Sequence, residues 1–340
     1  MKENVTKSVF MQMHDGSRTE EGSFNVDLQK LFYKADLGNR YKLVKAFPEF
    51  FGNESIAFGV LRQYSSPKLI TFSKDVNGLY SYTLSKVGKQ CKFLQFLINT
   101  SNFTYKKEKM LADGNADVVI TPKEIQGDTV HLLSKLCAIG YLLLDLKDPY
   151  TAMAVIGIDG RLREVDIDSC GRSEKVIFGD AIRLARPNVT IWGHPIRSYQ
   201  HAYIWQGLTK KTKIVCIDGD KNRNLTFDDI YTNIIGDWEI EPSGGRYKSI
   251  PFSSSPKIYC TTNRALNIIN SRFESVLWVI MFSDYYIENP MLCDEFYQLF
   301  LYDCETVNMG LFRKLMDDCL LLYLSFGHIK APIACQPTNE

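Results

Sequence analysis

The sequence predicts an α/β protein built on a mostly parallel sheet, and three observations lead there. After Pro149 short β-rich runs recur, at residues 153–158, 189–192, 214–217, 258–261 and 277–282. Helical or loop-like stretches separate them, the order expected of strands buried on both faces of a sheet and joined by crossovers. Composition supplies the core, since 45% of the 340 residues are hydrophobic and no staple is needed to fold them.

Around that core the elements follow in order. Residues 1–24 lack periodicity and are rich in Lys, Glu, Ser and Thr, so a flexible leader is expected there. An accessory α+β region spans 25–148, with a short helix at 25–33 and strands at 69–72 and 79–83 flanking the turn Asp75-Val76-Asn77-Gly78. From Asp128, which offers a helix cap, apolar positions Leu132, Leu133, Leu136, Ile139 and Leu143 repeat at helical spacing. The α/β domain occupies 149–287. A helical subdomain at 288–333 carries Phe312, Leu315, Met316, Cys319, Leu322 and Tyr323 on one stripe before Gly327 and Pro332, and 334–340 form a tail.

Charge and cysteine usage narrow the classes. Forty basic against thirty-nine acidic residues give +1, so any basic binding site must be local. Nine cysteines stand singly without C-x-x-C spacing, which reads as reduced core thiols in a cytoplasmic protein with no metal site. The polar first twenty-two residues lack the pattern of a secretory signal, and the longest apolar run, 137–146, is too short to span a bilayer. No membrane partner is expected.

Chemistry concentrates between residues 169 and 286. Ser169-Cys170-Gly171-Arg172-Ser173-Glu174-Lys175-Val176 follows the first strand and leads into a helix at 177–184. A phosphate loop needs small residues whose N–H groups face the phosphates, a lysine for charge and a hydroxyl for magnesium; Gly171, Arg172, Ser173 and Lys175 are the candidates here. By itself the segment reads first as a polar loop capping a helix, and its downstream company is what turns the reading toward phosphate. Downstream, Ile214-Val215-Cys216-Ile217-Asp218 is an apolar strand ending in a carboxylate able to hold magnesium. Another strand, Lys257-Ile258-Tyr259-Cys260-Thr261-Thr262, precedes Asn263, whose amide could orient a water. Residues 235–252 form a hairpin about Gly244-Gly245 that presents Arg246 and Lys248.

Together with Ile250-Pro251-Phe252, Ser255-Pro256-Lys257 and Phe282-Ser283-Asp284-Tyr285-Tyr286, these strings resemble the superfamily-3 helicase domain of phage and mobile-element primase-helicases of the poxvirus type, over about residues 132–332. The resemblance implies an AAA+-like P-loop NTPase fold and a hexameric ring. It further implies ATP and magnesium at the phosphate loop, and hairpins lining a pore for single-stranded DNA, with Arg246 and Lys248 on its phosphates. Several family positions are altered. Glu174 replaces the glycine before the lysine, Val176 the magnesium-binding hydroxyl, and Gly219 the second acid after Asp218. Ser275-Val276 stand where the arginine finger would lie, with Arg272 nearest. A pseudo-ATPase binding nucleic acid or a partner follows, with Asp218, Asn263 and the phosphate loop vestigial. Two other readings stay open: an active helicase using Asp220 and Arg272 as substitutes, and a non-enzymatic module acting on a helicase ring or other replication protein. Lys106, Lys107, Lys109, Lys210, Lys211 and Lys213 read as solvated charge, and the dispersed histidines, His131 and His201 among them, as non-catalytic.

Overall fold

The computed structural model describes residues 27, 28, 31, 43, 47, 69–145, 147–160, 174–191, 205, 207–209, 211–218, 227–240, 248–262, 274–286 and 307–332. Of the short helix predicted at 25–33, Asp27, Leu28 and Leu31 are described and are helical.

Strands β1 (Ile70–Lys74) and β2 (Tyr80–Leu84) pair antiparallel with Ile70 opposite Leu84. The turn closes because Asp75 Oδ1 accepts the N–H groups of Asn77 and Leu79, while Gly78 takes φ +84°, open to glycine at no steric cost. Helices α1 (Lys92–Asn99), α2 (Tyr105–Ala112) and α3 (Pro122–Leu143) follow. The long helix starts two turns before the expected Asp128. Thr121 caps it in a capping box with Glu124, and Pro122 sits where a missing N–H costs nothing. Asp128 instead accepts the N–H groups of Phe103 and Thr104, so it braces the loop ahead of α2 and caps neither helix.

Among the described residues, the main sheet has five strands in the order β4 (Asn188–Ile191), β5 (Ile214–Asp218), β8 (Lys257–Thr262), β3 (Ala154–Asp159), β9 (Leu277–Phe282), and every pairing is parallel. The period of two divides its side chains cleanly. Val155, Ile214, Cys216, Tyr259, Trp278, Ile280 and Phe282 join one apolar cluster with α1, α3, α4 (Glu174–Ala185) and α6 (Val307–Phe326). Ala154, Ile156, Ile158, Val215, Ile217, Ile258, Cys260, Leu277 and Met281 join the other, with α5 (Phe227–Ile235) and the hairpin strands β6 (Trp238–Ile240) and β7 (Lys248–Ile250). A sheet covered on both faces is thus what the apolar runs encode. The helical stripe of the tail lies buried on α6, which Gly327 ends at φ +68°. Described cysteines 91, 137, 216, 260 and 319 are buried.

Candidate functional site

The strand order sets where a ligand could sit. From β3 the chain runs through α4 to β4 at one edge, whereas after β8 it passes β3 to reach β9 at the other edge. Adjacent strands whose connections diverge leave a crevice at their carboxyl ends, the usual ligand position in open α/β sheets. Lys175, in the first turn of α4, reaches that position. Its Nζ lies 3.0 Å from Asp159 Oδ2, on the last residue of β3, and donates to the carbonyl of Thr262, the last residue of β8, at 3.3 Å. The lysine is fully buried, and the Asp159 side chain is 30% exposed.

The main chain of Lys175 is fixed as well. Tyr259 donates its hydroxyl to the Lys175 carbonyl at 2.7 Å, and its ring fits because Gly157 and Gly179 face it without side chains. A Cβ on Gly157 would come within 2.8 Å of that hydroxyl. One tyrosine therefore locks α4 against β3 and β8 at the helix end nearest the crevice.

Glu174 is 5% exposed beside this pair. Burial, with the carboxylates of Asp159 and Asp284 adding to it, raises its pKa to about 7, partly opposed by its own N–H and by Lys175. Near neutral pH the group at the position of the family's glycine is therefore divided between acid and carboxylate. Asp159 supplies the charge that meets the lysine.

Val176 lines, with Lys175, Gly179, Arg183, Thr190, Cys216, Ile217, Tyr259 and Thr261, a mostly apolar cleft of about 30 Å³ between α4 and the sheet. A hydroxyl for magnesium is absent at that position, and among the described residues no group of three or more His, Cys, Asp or Glu could hold a metal ion.

Asp218 ends β5 in register with Thr261 of β8, which in turn aligns with Gly157 of β3. Its backbone thus reaches the same edge of the sheet as Lys175, two residues short of Asp159. Lys248, exposed, opens β7, on the hairpin packed against the opposite face from α4. Gly171, Arg172, Ser173, Arg246, Asn263, Gly219, Asp220, Arg272, His201 and Lys210 lie outside the described residues.

Two of the lesser basic candidates meet acidic partners within the protein. Lys107 pairs with Glu124 at 2.7 Å, Lys213 with Asp145 at 3.4 Å, and Phe103 lies against His131, 4.4 Å between ring centroids. Burial pushes the His131 pKa down to about 3, so it stays neutral inside α3.

Sequence reasoning missed Asp159, Tyr259, Thr262 and Asp284. One signal was present: β3 ends Ile158-Asp159 just as β5 ends Ile217-Asp218, so both strands deliver a carboxylate to the same edge. Sixteen positions separate Asp159 from Lys175, far more than the six between the first glycine and the lysine of G-x-x-x-x-G-K-[ST]. No helix among the described residues is long and apolar enough to cross a membrane. Compared with known proteins, the chain matches no family model and no curated sequence.

Proposed function

We propose that this chain is a helicase-like homologue of the superfamily-3 type that has given up nucleotide hydrolysis and acts by binding single-stranded DNA. The observation that carries the reading is the pairing of the buried Lys175 with the half-buried Asp159 at the crevice of a five-stranded parallel sheet. A phosphate-binding lysine must present its ammonium to the ligand, but here a carboxylate of the protein already occupies that direction. A triphosphate would have to displace Asp159, whose carboxylate repels it in a partly dry setting, and crowd against the buried Glu174 side chain. Val176 adds no ligand for the metal that would offset this.

Support for the DNA arm of the proposal is the hairpin β6–β7, which pairs Trp238 with Ile250 and roots in the apolar cluster while Lys248 stays exposed near its open end. A rooted base with a basic end suits a phosphate backbone.

Two measurements test the two halves. In thermal melts, millimolar ATP with magnesium is expected to leave the midpoint unchanged, and no ATP turnover above background is expected. A ligand held at 100 times its Kd would raise the midpoint by about 4 °C. A shift of that size that disappears in Lys175→Met would refute the loss of nucleotide binding. In fluorescence anisotropy, labelled oligo(dT) is expected to bind at low salt, with Lys248→Ala lowering the slope of log K against log salt by about 1. Absence of binding at low salt would remove the DNA arm and favour a protein-binding scaffold.

A further inference from the structure

At the other edge of the sheet, where β3 and β9 begin, Thr151, Met153, Trp278, Tyr323, Leu324, Gly327 and His328 enclose a cavity of about 100 Å³. Three elements build it: the entry to β3, the start of β9 and the end of α6 with its left-handed Gly327. Its walls are rings and aliphatic groups. Trp278 packs edge-on to His328 at 4.6 Å between centroids and tilts against Tyr323 at 6.1 Å.

Water fits this space poorly. About three molecules would fill it at ~30 Å³ each, yet each needs two to four polar partners. Three of the wall's polar groups are turned to the protein: Trp278 Nε1 donates to Ser134 Oγ at 3.0 Å, the Gly327 N–H to the Tyr323 carbonyl at 2.7 Å, and the Thr151 hydroxyl to Asp148 at 3.4 Å. For comparison, an apolar cavity of roughly 150 Å³ stays dry and takes up benzene or xenon.

His328 stands at the solvent side and makes no hydrogen bond among the described residues. We propose that the cavity is a binding site for a free, uncharged, single-ring aromatic molecule bearing one hydroxyl, its ring against Trp278 and Tyr323 and its hydroxyl toward His328. Burial on its Trp278 side, with Lys330 nearby, holds the imidazole below its ordinary pKa, so at neutral pH it offers one donor and one acceptor and no charge. The space is smaller than that comparison cavity and opens on the His328 side, so it admits at most one ring and no main chain, which selects a small molecule over a docked peptide. The site is independent of the reading given to Lys175, which lies at the opposite edge.

The test uses 4-fluorophenol and fluorobenzene as probes, followed by ¹⁹F NMR on the full chain. Saturable binding of 4-fluorophenol is expected with a Kd on the order of 0.1–1 mM, about what so few atoms can achieve. Thr151→Phe, which puts a ring at the wall, is expected to weaken both probes about tenfold or more, whereas His328→Phe weakens 4-fluorophenol and spares fluorobenzene. Binding that fails to saturate by about 10 mM, or that Thr151→Phe leaves unchanged, overturns the assignment. Should Thr151→Phe fail to fold, the exposed His328→Phe decides: equal effects on the two probes overturn it.

Discussion

Lys135, Lys147, Lys175 and Lys257 are all buried, and each donates to main-chain carbonyls. Three of them serve helix ends: Lys135 reaches Thr100 after α1, Lys147 reaches Asn233 in the last turn of α5, and Lys257 reaches Tyr141 and Leu144 at the end of α3. Terminal carbonyls of a helix have no partner along their own helix and carry partial negative charge, so an amine satisfies both needs. Burial nevertheless acts against the charged form. It pushes the Lys147 pKa down to about 7, and those of Lys135 and Lys257 well below the ordinary lysine value. Glu174 is the acidic counterpart, moved from 4.5 up to about 7. Because its folded-state value is the higher one, the folded chain keeps a proton there that the unfolded chain has released between about pH 4.5 and 7. Its contribution is complete below that window and is lost as pH rises through 7, on the order of 3 kcal/mol in all. Lys147 behaves oppositely and higher, its penalty relieved from about pH 7 upward toward 10.5. Glu174→Gln keeps the shape without the titration. The wild-type midpoint, taken relative to that variant, is expected to fall by about 3 °C from pH 5 to pH 8 in paired thermal melts; parallel profiles would show that the carboxyl does not titrate there.

Between elements, α3 approaches α6 closely. A Cβ on Gly140 would lie 2.1 Å from the Cys319 carbonyl oxygen, which is main chain and has no rotamer to change. Alanine there must push the two helices apart, and with them the packing of Leu136, Leu315 and Tyr323 in the shared cluster. Gly140→Ala is expected to destabilise by about 3 kcal/mol or more, seen as a lower urea midpoint with little change in slope. A midpoint within error of wild type would mean that the helices separate freely. The helical pattern did not show why a glycine is needed here, since it accommodates an isolated glycine without revealing its neighbour. Strands were far more legible. All five of the main sheet fall within a residue of the expected runs, because a strand buried on both faces is a short block of apolar residues that turns or helices must punctuate. The start of α3 was misread for a local reason: Asp128 and Thr121 both have capping chemistry, and only the fold shows that Asp128 turns to Phe103 and Thr104.

Lys175 was legible as a candidate because a strand, a polar stretch and a helix surround it in sequence. Its partner Asp159 was not, because the intervening stretch hides that the two meet, and Thr262 lies nearly ninety residues further along. The cavity beside Trp278 was equally hidden, being assembled from segments at residues 151–153, 278 and 323–328. The same long-range closure governs how the sheet can form. β3 lies between β8 and β9, both of which come roughly a hundred residues later, so neither of its edges has a partner when it first leaves the ribosome. At the usual pace of translation, ~5–20 residues per second, this apolar strand stays unpaired for about 5–20 s, long enough to engage chaperones or another nascent chain.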